Sequence, residues 1–119
     1  MEINILQFNG VDIAELVSSG IEISKPQDAV DLMAKCMPSR TTRVIVNEKN
    51  IIPEFFDLKT KIAGEILQKF ATYRFKIAIV GDFSKYESNA LKDFIYESNK
   101  HGEINFVGTV EEGMEKLAR

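Results

Sequence analysis

The chain opens on two apolar-rich runs, Ile3–Phe8 and Val11–Val17, separated by Asn9-Gly10. Asn-Gly tolerates positive φ at both central positions of a tight turn, so the runs read as a hairpin. Ile3 and Ile5 alternate, then Val11 and Ile13, but Leu16 falls out of phase. That break predicts a bulge, or a strand ending near Ala14. Ser18-Ser19-Gly20 is a turn before a short extension, Ile21–Ile23. Ser24-Lys25-Pro26-Gln27-Asp28 carries helix-start features, with Ser24 as cap or Pro26 in the first turn. Ala29, Val30, Met33, Ala34 and Met37 then follow helical spacing until Pro38. Arg43–Val46, with Val44-Ile45-Val46, reads as a strand buried on both faces.

Pro53 and Glu54 suit a first helical turn and open what reads as the longest helix, reaching about Tyr73. At 100° per residue, Phe55, Ile62, Ile66, Phe70 and Tyr73 share one stripe that should cover the sheet. Phe75–Val80 is a near-continuous apolar strand ending at Gly81-Asp82. A helix over about Ser88–Lys100 presents Leu91, Phe94, Ile95 and Ser98, and His101-Gly102 closes it with a glycine suited to left-handed geometry. Ile104–Val107 is the last strand. Val110–Ala118 is the last helix, with Val110, Met114 and Leu117 as its apolar positions.

This order predicts a single α/β domain over residues 1–119. It has a mostly parallel sheet of about five strands, an N-terminal antiparallel hairpin and four helices. The hairpin should form an edge and Phe75–Val80 should lie centrally. Right-handed crossovers in sequential order should put most helices on one face. Composition agrees with a folded domain: 45% hydrophobic and 28% charged residues exclude a disordered or low-complexity chain. Fifteen Lys and Arg against 18 Asp and Glu leave a net charge of −3, contrary to the basic excess of a general nucleic-acid binder. No apolar run approaches the ~20 residues of a membrane span. The opening residues lack the basic flank and apolar stretch of a signal peptide, which points to the cytosol. One Cys and one His exclude an internal disulfide and leave no basis for a metal site or a cofactor.

Three segments carry a resemblance: Phe55-Phe56-Asp57-Leu58-Lys59-Thr60, Ala63-Gly64-Glu65-Ile66-Leu67-Gln68-Lys69-Phe70, and Ala78-Ile79-Val80-Gly81-Asp82-Phe83. Together they resemble a bacterial family known as domain of unknown function 4180, over nearly the whole chain. The family brings no activity with it. Ile77-Ala78-Ile79-Val80-Gly81-Asp82, then Ile104-Asn105-Phe106-Val107 and Glu111–Leu117, are also similar to the anti-sigma-factor-antagonist (STAS, SpoIIAA-like) fold. In signalling members of that fold a serine at the strand-to-helix turn is phosphorylated. The turn here reads Asp82-Phe83-Ser84 and lacks the paired Ser-Gly.

Ligands of open α/β sheets sit outside the carboxyl ends of the strands, so Asp82, Ser84, Tyr86 and Ser88 are the candidate ligand-binding residues. The plainer account makes Asp82 or Ser84 a turn residue and Ser88 a helix cap. A lone Gly81 supports neither a dinucleotide fingerprint nor a P-loop. His101 has no nucleophile near it in sequence and reads as a helix C-terminal residue. Cys36, beside Met33 and Met37, reads as core. Asp57, Glu65 and Asp82 are carboxylates without a spacing that unites them. On the long helix, Thr60, Gly64, Leu67 and Ala71 form a stripe of small volume. Gly64 there suggests a close helix contact, either within the chain or across a homodimer.

These features point to a non-enzymatic regulatory module that binds a protein partner or a small acidic or apolar ligand. The competing expectation is a small enzyme with its site at the Asp82–Ser84 turn. A deep pocket joining Asp82, His101 and Glu65 would mark the enzyme.

Overall fold

The hairpin closes as its turn residues dictate. Asn9 and Gly10 take φ of 52° and 78°, and strands β1 (Glu2–Phe8) and β2 (Val11–Val17) pair antiparallel from Phe8↔Val11 to Glu2↔Val17. The register is continuous, so there is neither a bulge nor an early end at Ala14. The alternation fails for another reason: Ile13 is buried on one face of β2, while Ala14 and Leu16 are buried on the other. A strand buried on both faces has no polar side to alternate with.

Three parallel strands follow, β3 (Arg43–Asn47), β4 (Lys76–Val80) and β5 (Ile104–Val107), giving the order β1-β2-β3-β4-β5. The hairpin thus forms one edge. The Phe75–Val80 run is interior, between β3 and β5, while β3 is the middle strand. The computed structural model describes all residues from Met1 to Arg119.

Helices α1 (Pro26–Cys36), α2 (Ile62–Thr72) and α3 (Asn89–His101) cover one face, and α4 (Val110–Leu117) covers the other. The three-helix side holds Ala14, Leu16, Val44, Val46, Ile77, Ile79 and Phe106. The α4 side holds Ile13, Ile45, Ala78, Val80 and Val107. Cys36 lies in the larger cluster, and its burial pushes the thiol up to about 11. Pro26 occupies the first turn of α1, as expected. Ser24 does not cap it: the Asp28 carboxylate accepts from the backbone N–H groups of Ser24 and Lys25 at 2.9 and 3.2 Å.

The expected 53–73 helix is not continuous. Pro53–Phe56 and Leu58–Thr60 are short 3-10 turns, and α2 begins only at Ile62. Asp57 is extended and its carboxylate accepts from the Lys59 N–H at 3.2 Å. The Thr60 hydroxyl donates back to the Glu54 and Asp57 carbonyls at 2.9 and 2.8 Å. Lys61 then takes a φ of 66°, which turns the chain into α2. α3, with 13 residues, is the longest helix. Of the expected sheet-facing stripe, Phe55, Ile66 and Phe70 are buried, Ile62 is half-buried and Tyr73 is exposed.

The small stripe is divided in the same way. Thr60 precedes the helix, Leu67 is in the core, and Gly64 and Ala71 are exposed. A Cβ added at Gly64 would meet nothing within 4 Å, so no close contact forms there within the chain. The helix glycine that does permit close approach is Gly113, whose Cβ would lie 3.3 Å from that of Ala78. It lets α4 settle onto β4. No helix of the protein is long and apolar enough to cross a membrane.

Candidate functional site

Beyond the carboxyl ends of β3 and β4, two turns come together. One is Glu48–Asn50, directly after β3; the other is Phe83–Lys85, after β4. They approach because Gly81 lacks a side chain: a Cβ there would lie 2.6 Å from Glu48 Oε1 and 2.8 Å from Glu48 Cβ. Glu48 accepts a short hydrogen bond from the Tyr86 hydroxyl and pairs with Lys85 Nζ at 2.7 Å. The Glu48 side chain is only 15% exposed, so both interactions act at reduced screening. Burial and the adjacent Glu48 carboxylate raise the Tyr86 phenol above its ordinary range and keep it protonated.

The Tyr86 ring stacks on Phe56, with centroids 5.2 Å apart and planes 18° from parallel. Phe55 and Phe83 extend the group, each meeting Phe56. Lys85 Nζ also lies 5.4 Å from the Tyr86 ring centre. A cleft of about 320 Å³ opens here, lined by Ile21, Glu48, Lys49, Ile51, Pro53, Phe56, Lys85 and Tyr86. Ile23 bridges to Ile51 in parallel above β2 and β3. Buried Asn50 holds the approach from β2, donating from Nδ2 to the Ser18 and Gly20 carbonyls at 3.0 and 2.8 Å.

Of the four residues singled out in the sequence, only Asp82 and Ser84 bond to each other. The Asp82 carboxylate accepts from the Ser84 N–H at 3.1 Å and from its hydroxyl at 2.6 Å. These hydrogen bonds hold the Asp82 carboxyl below its usual range. Both residues are exposed, and a phosphate on Ser84 would face that carboxylate. Ser88 caps α3, accepting from the Leu91 N–H at 3.2 Å. Only Tyr86 lines the cleft. Sequence reasoning missed Glu48, Lys49, Phe56 and Lys85. A glycine directly after β4 was the one available signal, and it does not say which side chain fills the space.

The constellation that would mark an enzyme is not assembled. His101 ends α3 beside the amino end of β4, where Lys76, Asn99, Lys100, Asn105 and Lys116 share a cavity with it. Asp82 lies past the other end of the strand, a separation of roughly 15 Å at 3.3 Å per residue. Glu65 is exposed in the first turn of α2. No three His, Cys, Asp or Glu side chains gather to hold a metal ion.

The protein is therefore an α/β domain with a mixed five-stranded sheet and a half-polar cleft where ligands of open sheets bind. It belongs to the family described as Domain of unknown function (DUF4180), whose model matches residues 8–117. No curated protein is similar enough in sequence to count as a match. Among solved structures, a provisionally assigned anti-sigma factor antagonist from Thermotoga maritima is similar at a TM-score of 0.45 and 13% identity. That similarity covers 98% of this chain and 95% of that one.

Proposed function

We propose that the protein is a non-enzymatic binding module that takes a small acidic ligand with an apolar body in the cleft between β3 and β4. One observation carries this. The cleft sets two lysines, Lys49 and Lys85, beside an apolar wall of Ile21, Ile51, Pro53 and Phe56, and its only carboxylate, Glu48, is already occupied by Tyr86 and Lys85. An acid group would find ammonium donors on one side, while its carbon skeleton would cover Ile21, which is 52% exposed. The volume suits a small molecule. The one hydroxyl in the cleft, on Tyr86, is fixed on Glu48 and kept protonated by burial, which favours binding over turnover.

The test is a titration of isotope-labelled protein with aliphatic and aromatic carboxylates and organic phosphates at low salt. Binding should perturb Ile21, Phe56, Lys85 and Tyr86, weaken with added salt, and be lost in Lys49→Glu/Lys85→Glu. Perturbation confined to other regions, or binding indifferent to both lysines, would overturn the proposal.

A further inference from the structure

The two edges of the sheet are finished differently. Along β5, Glu103 and Val107 bond to β4, so alternation turns the N–H and C=O groups of Ile104 and Phe106 outward. The Asn99 side chain occupies that edge: its Oδ1 accepts from the Phe106 N–H at 2.7 Å, and its Nδ2 donates to the Phe106 carbonyl at 3.2 Å. The edge is four residues long and plugged at its centre.

The β1 edge has no such closure. The two-residue turn makes Phe8↔Val11 a hydrogen-bonded pair, so alternation assigns Phe8, Leu6, Asn4 and Glu2 to β2. The N–H and C=O groups of Ile3, Ile5 and Gln7 face outward, and no hydrogen bond from another part of the chain reaches them. Soluble proteins blunt an edge with lysine, proline, a bulge or a short strand. This strand is seven residues long, regular, without Lys or Pro, and its middle residue, Ile5, is 42% exposed.

We infer that a second copy of this chain covers the edge, β1 pairing antiparallel with the partner's β1 about a two-fold axis at Ile5. The strand suits itself. Centred there, Ile5 meets its own copy and Ile3 meets the partner's Gln7, so all outward groups pair in roughly six hydrogen bonds. On the three-helix face Ile5 then packs against its own copy, with Ile3 of each chain diagonal to the partner's Ile5. Glu2 falls opposite the partner's Phe8, so no like charges oppose. The sheet becomes continuous across the two copies, with its only remaining edges the plugged β5 strands. This inference is independent of the cleft ligand.

Amide hydrogen exchange on the wild-type protein tests it directly. At about 100 μM the amides of Ile3, Ile5 and Gln7 should be protected, and dilution should release them without releasing Leu6 and Phe8. Sedimentation should show a dimer that Ile5→Lys weakens about tenfold or more, because two ammonium groups then face each other. Ile5→Pro, which removes an outward N–H without touching the β2 ladder, should do the same. Free exchange of the three amides at high concentration would overturn the inference. So would a monomer at that concentration, or a dimer indifferent to Ile5→Lys.

Discussion

At the carboxyl ends of β3 and β4, Glu48, Tyr86 and Lys85 are tied together over stacked aromatic rings. At the amino ends, Lys76, His101 and Lys116 line a cavity of about 320 Å³ that has no hydrophobic side chain in its wall. The volumes match, but the construction does not. Lys100 and His101 belong to the last turn of α3, and Lys116 to the last turn of α4. The lysines there complement the negative ends of helix dipoles, which explains them without a ligand. No local requirement of a helix explains Glu48, whose partners lie 37 and 38 residues away. Charge alone marks a surface; groups held by one another, beside an apolar wall, mark a site.

The strongest way to break this contrast is Gly81→Val set against His101→Ala. Valine at position 81 would drive its Cβ into Glu48 Cβ, 2.8 Å away and fixed close to the backbone. Overpacking of that kind should cost about 2–3 kcal/mol. His101→Ala removes an exposed ring and should stay within about 0.5 kcal/mol. Urea denaturation measures both. Equal losses would mean that the two ends are equally constrained.

Tyr86→Phe is the next step down. It removes one hydrogen bond to a mostly buried carboxylate and leaves the aromatic stack in place, so the cost at neutral pH should be about 1–2 kcal/mol. The pH dependence follows from the raised Tyr86 phenol. The folded protein retains this proton after an unfolded tyrosine has lost its own near pH ~10. The contribution is therefore complete below that pH and declines as pH rises through the folded value. Wild-type stability should fall above pH ~10 more steeply than that of Tyr86→Phe. Parallel curves for the two would show that Glu48 and Tyr86 do not interact.

Much of the fold was legible because it rests on local rules. Asn9-Gly10 fixed the hairpin, apolar runs marked β3 and β4, and Gly102, with φ 86°, closed α3 as expected. The 53–73 helix failed because periodicity counts apolar residues and does not see Asp57 and Thr60 turning back onto the backbone. The site was legible only in position. Its side chains come from turns after different strands, and the contacts joining Glu48 to Lys85 and Tyr86 form only once β3 and β4 are adjacent. Asp82, Ser84 and Ser88 were prominent because they satisfy the local backbone, which any strand-to-helix turn requires.

Glycine provides the smallest and sharpest form of the comparison. Within the chain the close approach suggested at Gly64 does not form, because space around a glycine depends on what the fold brings to it. Gly81 and Gly113 are crowded by Glu48 and by Ala78 and Ile45, whereas Gly64 faces open space at ordinary negative φ. Gly64→Ala should therefore gain stability, by about 0.5–1 kcal/mol, because alanine restricts the unfolded chain and favours the helix without meeting a neighbour. Thermal and urea denaturation should both register the gain, and sedimentation should be unchanged from wild type. A loss of stability, or a shift in assembly, would show that a surface packs closely on α2 at Gly64, as a helix-mediated homodimer requires.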